Sequence, residues 1–262
     1  MPRLAANLTL MFSEVPFLER FAIAADAGFD AVEFMFPYSE SPEAMEAQLR
    51  QHGLGVAVFN LPAGDWQDGE RGIGALPGRE GEFREGAALA LEYARQLGCK
   101  RLHLMAGKTT ELDPRACLET MVENVRHAAD LAARDGVDIL LEPINTKVDI
   151  PGYFYDTTAA AMAVIIKANR PNLRLQYDIY HMQIMEGDLA RTIERLLPAI
   201  GHIQLADNPG RHEPGTGEIN YSWLLSHLDT LGYTGVVGCE YNPAGETRAG
   251  LGWATPYLER AG

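Results

Sequence analysis

The segment 101–142, RLHLMAGKTTELDPRACLETMVENVRHAADLAARDGVDILLE, holds one complete structural unit of the chain. Its first residues, Arg101 to Met105, form an apolar run that reads as a buried strand, and so do its last, Asp138 to Glu142. Between them, Asp113 followed by Pro114 is a helix start, because the acid accepts free N–H groups and proline lacks one of them. Leu118, Val122, Val125 and Leu131 recur at helical spacing as the inward face, and Gly136 is the stop. Two strands joined through such a crossover helix lie parallel.

The same unit repeats outward in both directions. Further strand-like runs are Leu4 to Leu10, Ala31 to Met35, Gly55 to Phe59, Leu173 to Asp178, His202 to Ala206 and Val236 to Glu240. Helical patterns separate them. Phe17, Phe21 and Ala24 stripe the first, which stops at Gly28; Pro42 opens the second behind Ser41, ahead of Gly53. Phe83, Ala87, Ala90, Leu91 and Ala94 stripe the third, up to Gly98. Others span Thr157 to Ala168, Leu189 to Leu197, Trp223 to Leu231 and Thr247 to Leu258. Eight strands alternating with eight helices predict an α/β protein, a (β/α)8 barrel, with residues 1–262 as one domain. An open doubly wound sheet that bound a nucleotide would show a glycine-rich first turn, whereas the turn here reads Met11-Phe12-Ser13-Glu14. Gly215-Thr216-Gly217 lacks the third glycine and the helix opening of such a loop.

The 262 residues carry 22 Lys and Arg against 36 Asp and Glu, a net charge of −14. That excess repels a phosphate backbone and an anionic membrane surface, so the expected partner is a small molecule, not nucleic acid or membrane. Self-association into a homo-oligomer stays open. Cys99, Cys117 and Cys239 are too few and too scattered for a disulfide framework, and no targeting or membrane-spanning run is evident. A cytoplasmic location is expected.

In a (β/α)8 barrel the chemistry sits where the strands end. Glu33, Asn60, His103, Glu142, Asp178, Gln204 and Glu240 each stand at or near the end of a different run. The sharpest subset is Glu142, Asp178, Gln204 and Glu240, three carboxylates and an amide oxygen at charge −3 on consecutive strands. Such hard oxygen donors suit Mg²⁺ or Mn²⁺ better than zinc. The plainer alternative is that each acid caps the next helix. His181, three residues after Asp178, can share its side of a helical turn and hold or polarise a substrate, while His103 and His202 read as satisfied barrel residues. Two loops on the same side invite a functional reading. Residues 62–81 carry six glycines with Trp66 and Arg71, a length expected of a lid or a disordered segment, and 207–218 brings Arg211 and His212 towards the proposed cation.

Leu141-Glu142-Pro143-Ile144-Asn145, Tyr177 to Gln183, His202 to Asp207, Pro209 to Glu218 and Gly238 to Tyr241 resemble the hydroxypyruvate isomerase family of the xylose isomerase-like barrels. Glu70-Arg71-Gly72-Ile73 and Pro77-Gly78-Arg79-Glu80 extend the resemblance. It implies a divalent cation on Glu142, Asp178, Gln204 and Glu240, with Glu142 and Glu240 also exchanging the substrate proton. Related ketose 3-epimerases generally have histidine where this chain has Gln204, a departure that weakens an epimerase reading.

The implied reaction interconverts hydroxypyruvate and tartronate semialdehyde through an enediolate, with a chelating cation offsetting the developing charge. A substrate carboxylate needs a local cation in so acidic a chain. Arg211, with a bidentate fork and the nearest position to a ligand strand, ranks first, followed by His181, Arg71 and Lys108. A 2-oxo-tetronate isomerase or a ketose isomerase or epimerase would use the same site. A metal-dependent phosphodiesterase calls for a denser histidine and acid cluster and a basic face, and a non-catalytic sugar-binding protein has no need of two carboxylates on a cation.

Overall fold

The structure, a computed structural model, describes residues 2–258. The strands are β1 (Arg3–Asn7), β2 (Ala31–Phe34), β3 (Gly55–Asn60), β4 (Arg101–His103), β5 (Asp138–Leu141), β6 (Leu173–Asp178), β7 (Ile200–Leu205) and β8 (Val236–Cys239). They pair in parallel in sequence order, and β8 returns to β1, so the sheet closes as a barrel. Around it lie α1 (Arg20–Asp26), α2 (Pro42–His52), α3 (Glu80–Leu97), α4 (Pro114–Ala132), α5 (Thr158–Ala168), α6 (Ile179–Met185), α7 (Leu189–Leu196), α8 (Tyr221–Thr230) and α9 (Thr255–Leu258). None of these helices is long and apolar enough to cross a membrane.

The start signals at Ser41 and Asp113 act as read, and Thr157, not read as a cap, serves as one too. Asp113 accepts the N–H groups of Arg115 and Ala116, Ser41 that of Ala44, and Thr157 that of Ala160, so each helix opens on a side-chain cap. Some details differ from expectation. The short α6 was not foreseen as a separate helix, and Thr247 to Leu258 is a 3-10 segment, Arg248–Ala254, before α9. In α4 the buried line is Cys117, Met121, Val125, Ala128 and Ala132, so Leu118 and Leu131 lie at its margin, half-buried. A straight helix advances 3.6 residues per turn, and that line follows the period more closely.

Most of the apolar core lies between barrel and helices, with Phe21, Phe34, Phe59, Leu91 and Met121 among its buried members. Inside the barrel a small cluster of Ala5, Ala31 and Ala57 is separate from it. Above those alanines the interior turns polar. Glu33, fully buried, accepts from Asn7 Nδ2 at 3.0 Å and Gln204 Nε2 at 2.9 Å, and pairs with His202 Nε2 at 2.7 Å. Gly238 faces it, and a Cβ there would meet Glu33 Oε2 at 2.1 Å. Two register shifts, between β2 and β3 and between β6 and β7, change side-chain parity. The first lets Ala57 and Asn60, an odd number of residues apart, both serve the barrel interior.

Candidate active site

A cavity of about 350 Å³ opens at the ends of the strands and is lined by Glu142, Glu240, His103, His181, Asn60, Asp149 and two guanidinium groups, Arg71 and Arg211. Met35, Met105, Ile144, Val148, Ile150 and Trp66 complete its wall. Each polar member has a structural reason for being there. Asp178 ends β6 and caps α6 with one oxygen, Oδ1, which accepts from Tyr180 N at 2.8 Å and His181 N at 3.3 Å. The capping reading thus holds for half of this carboxylate. Its other oxygen, Oδ2, is buried with no hydrogen-bond partner, as is Oε1 of Glu142.

These two orphaned oxygens and His181 form a group of potential ligand atoms within 4.8 Å of one another. Glu240 stands beyond them, bound to Arg211 Nη2 at 2.7 Å and close to Gln204 Nε2. Gln204 turns its amide nitrogen to Glu33 and Glu240, while its oxygen accepts from Gln176 Nε2 at 2.6 Å. Gln176 also donates to Glu142 Oε2 at 3.2 Å, which joins three of the four expected ligand residues, Glu142, Gln204 and Glu240, into one buried network that leaves Asp178 outside it.

Electrostatics show what the group lacks. Burial pushes the Glu142 carboxyl well above its ordinary range, and the charges of Glu240 and Asp178 add to the shift. Burial likewise lifts Glu240 to about 8 and Asp178 to about 6, against the opposing pull of Arg211. Burial also lowers Arg211, but Glu240, Asp178, Asp149 and Glu142 outweigh it and keep the guanidinium charged. Desolvation holds His181 well below its ordinary pKa and takes His103 down to about 3, so both rings are neutral. Glu142, Asp149, Asp178 and Glu240 against Arg71 and Arg211 leave a formal charge of −2, which one divalent cation balances. The orphaned oxygens and the all-oxygen carboxylate set fit such an ion, since buried carboxylates need a charge partner.

Several expected residues lie elsewhere or do different work. Arg211, at φ 55° in the loop after β7, spends Nη1 on Asp149 at 3.1 Å and Nη2 on Glu240, so the site's own acids occupy its fork. Lys108 is exposed and lies outside the cavity lining, where its charge bears on Glu70. His212 anchors its loop through the carbonyl of Asn242 at 2.7 Å instead of facing the cavity. His202 is satisfied by Glu33, but His103 is more than barrel packing: Nδ1 sits 3.2 Å from Asn60 Oδ1 and 3.4 Å from Glu142 Oε2, and Nε2 has no partner.

Both loops are firmly held. The one after β3 is neither a loose lid nor disordered, because Gly74 N and Ala75 N bond to the carbonyls of Met105 and Ala106. Arg79 binds Glu70 at 2.7 Å across the loop. At Gly72 a Cβ would sit 2.5 Å from the Met105 backbone, so glycine permits this close seam. The adjoining Arg71 stacks on Trp66, 4.0 Å from the ring centroid, and spends only Nη1 on backbone carbonyls. In the loop after β7, Asp207 is the hub, accepting from the backbone N–H groups of Asn208, Gly215, Gly217 and Ile219.

Two members of the site were not singled out from sequence. Asn145 falls inside the motif around Glu142 and is fully buried, while Asp149 lies in an irregular connection with no periodic signal.

A family model described as a xylose isomerase-like TIM barrel matches residues 21–257. A 2-oxo-tetronate isomerase of Cupriavidus necator is 50% identical over 99% of this chain and all of its own length. A hydroxypyruvate isomerase of Escherichia coli is 48% identical over 98% of this chain, again along its whole length. Among solved structures, one titled AP endonuclease, family 2, from Brucella melitensis superposes with a TM-score of 0.97 at 52% identity, covering 99% of this chain and 100% of its own. The chain therefore belongs to the xylose isomerase-like TIM barrel family, with hydroxypyruvate and 2-oxo-tetronate isomerases as full-length relatives.

Proposed function

We propose that the protein is an isomerase of short 2-oxo acids that interconverts hydroxypyruvate and tartronate semialdehyde, with the four-carbon 2-oxo-tetronate skeleton as the alternative substrate. The observation that carries this reading is the placement of Glu142 and Glu240. They stand at the ends of β5 and β8, with β6 and β7 between them, and reach one cavity from different directions. One glutamate takes the proton from C3 of hydroxypyruvate, and the C3–H electron pair becomes the C2=C3 double bond of an enediolate as the C2=O π pair moves onto O2. The other glutamate delivers a proton to C2 while the O3 hydroxyl proton passes to O2 and C3=O3 forms, which leaves an aldehyde at C3 and a hydroxyl at C2. Burial keeps both carboxyls basic enough for the task. Glu142, Asp178, Gln204 and Glu240 are the residues that would hold Mg²⁺ or Mn²⁺, with His181 left to the substrate. When bound, the cation supplies Lewis-acid stabilisation of the charge that develops on the substrate oxygens.

The test is proton wash-in from D₂O, followed by NMR, with hydroxypyruvate, 2-oxo-tetronate and neutral dihydroxyacetone. Exchange on either acid supports the reading, and no exchange on any of the three overturns it. The same assay separates the arginines. Arg71 keeps Nε and Nη2 free of protein acceptors in the cavity wall, whereas Arg211 is engaged, so the first rank for the substrate carboxylate passes to Arg71. Arg71→Met is expected to raise KM for hydroxypyruvate about 100-fold, the loss of a desolvated charge pair, and to leave dihydroxyacetone within about threefold. Arg211→Met should damage both substrates, because it also releases Glu240.

Cation binding has a thermal signature. Asp178 and Glu240 have folded-state pKa values raised to about 6 and about 8. Folding therefore favours their protonated forms, a contribution present in full below their ordinary pKa values and lost as pH rises through 6 and then 8. Metal-free protein should lose stability over that window. Mn²⁺ at 100 times its Kd should add about 2.7 kcal/mol, or about 5–10 °C in Tm. At a fixed Mn²⁺ concentration the gain should be larger at pH 8 than at pH 5, and a flat gain in thermal scans would count against these ligands.

A further inference from the structure

We infer that Asn145 fixes His181 as its Nε2–H tautomer, which makes the ring a neutral hydrogen-bond donor to a substrate oxygen and removes it from the ligands of the cation. The substrate half of this rests on the isomerase reading above; the tautomer does not.

Distances alone favour the opposite view. His181 Nε2 lies 3.7 Å from both Glu142 Oε1 and Asp178 Oδ2, the two orphaned oxygens, and the three side chains together have the spacing of a metal triad. Which ring nitrogen carries the proton decides between the views, and the answer lies on the far side of the ring.

Asn145 Oδ1 accepts from the backbone N–H groups of Val148, at 3.0 Å, and Asp149, at 2.9 Å. Backbone N–H groups only donate, so the carbonyl end of this amide must face them. The amino end then faces Asp149 Oδ2 at 2.9 Å and His181 Nδ1 at 2.8 Å. An amide nitrogen also only donates, and at 2.8 Å Nδ1 must therefore offer it a lone pair. Asp149 Oδ2 is the other group facing Nδ1, but at 3.5 Å it is the more distant and already accepts from Asn145 Nδ2 and Arg211 Nη1. A ring whose Nδ1 offers a lone pair is a neutral imidazole, so its single proton sits on Nε2.

A ligand must present a lone pair to a cation, and a protonated Nε2 has none. What Nε2–H can do is donate. Its 3.7 Å separations are too long for hydrogen bonds to Glu142 and Asp178, and they leave the donor open to an oxygen that enters the site. A neutral imidazole N–H at that point stabilises negative charge growing on a carbonyl oxygen without surrendering its proton. His103 serves as an internal contrast. Its Nδ1 faces acceptors, Asn60 Oδ1 and Glu142 Oε2, so it carries the proton there and leaves Nε2 as the lone pair.

Side-chain ¹⁵N NMR of the histidines at pH 7, with His181→Gln used to assign the resonance, tests the inference directly. The expected wild-type spectrum has a pyridine-type Nδ1 and a pyrrole-type Nε2 for His181, both without metal and with Mg²⁺. The His103 pattern should be the reverse. In an Asp149→Asn background, which avoids a new like-charge pair, Asn145→Asp keeps the acceptor for Val148 and Asp149 but turns an acceptor to the ring. The proton should move to Nδ1, and kcat for exchange on hydroxypyruvate should fall about 100-fold, the scale of one lost oxyanion donor, with KM little changed.

A pyrrole-type Nδ1 in the wild type, or loss of the Nε2 proton on adding Mg²⁺, overturns the inference whether or not the variant folds. The expected tautomer in a protein that exchanges no proton on any 2-oxo acid would instead overturn the isomerase reading and the substrate half of the inference, leaving the ring's exclusion from the cation intact.

Discussion

Glu240→Gln should reduce proton exchange on hydroxypyruvate by about 1,000-fold, within the range spanned by loss of a general acid or base. The substitution removes a proton carrier while changing shape very little. Its amide oxygen can still accept from Arg211, which is 2.7 Å from Glu240 Oε1, and Arg211 remains tied to Asp149; the amide nitrogen then faces the Gln204 amide, which must shift to relieve one donor–donor contact. The variant should therefore fold. Burial raises Glu240 to about 8, so the wild type without metal carries a destabilising ionisation near that pH that glutamine cannot make. Metal-free Glu240→Gln is accordingly expected to melt higher than metal-free wild type at pH 9 and to match it more closely at pH 5. Catalysis lost with stability gained distinguishes a removed proton carrier from a damaged fold. Exchange retained within tenfold would take Glu240 out of the proton path.

Asp207→Ala should be the most damaging loop substitution. Four backbone N–H groups, of Asn208, Gly215, Gly217 and Ile219, converge on one fully buried carboxylate. Without it they lose their common acceptor, at a cost of about 3 kcal/mol or more, or about 6–12 °C in Tm. Asp207→Asn should be intermediate. Both oxygens accept, Oδ1 from Asn208 and Ile219 and Oδ2 from Gly215 and Gly217, so either orientation of an amide turns a donor towards two donors. Because this loop carries Arg211, activity should fall in the same order. Equal melting of the three proteins would show that the hub is not needed.

The barrel was readable because its rules are periodic. All eight runs become strands, and the helices opened by Ser41, Asp113 and Thr157 begin where their caps place them. Positions that depended on parity or on long-range partners were harder. The shift between β2 and β3 brings Asn60 into the cavity beside His103, a contact that strict alternation does not reveal. Asn145 and Asp149 matter through His181 and Arg211, partners distant in sequence; Asn145 lies in the motif around Glu142, but its local sequence does not reveal that partner, and nothing local marks Asp149. The change we propose in the ranking of the arginines has a similar reason. Nearness in sequence to a ligand strand placed Arg211 well, but did not reveal that the acids around it would occupy its fork.

The two loops with their acidic hubs bear on how such an enzyme can change. One is tied across itself by Glu70 and Arg79, the other is gathered around Asp207, and each delivers one arginine to the mouth of the barrel. The glutamates to which we assign the proton transfer belong instead to the ends of β5 and β8. On that assignment, selectivity and chemistry would sit on separate parts of the polypeptide. Replacing one of these loops would then be expected to change which acid the site accepts while leaving the strand-end carboxylates where they are.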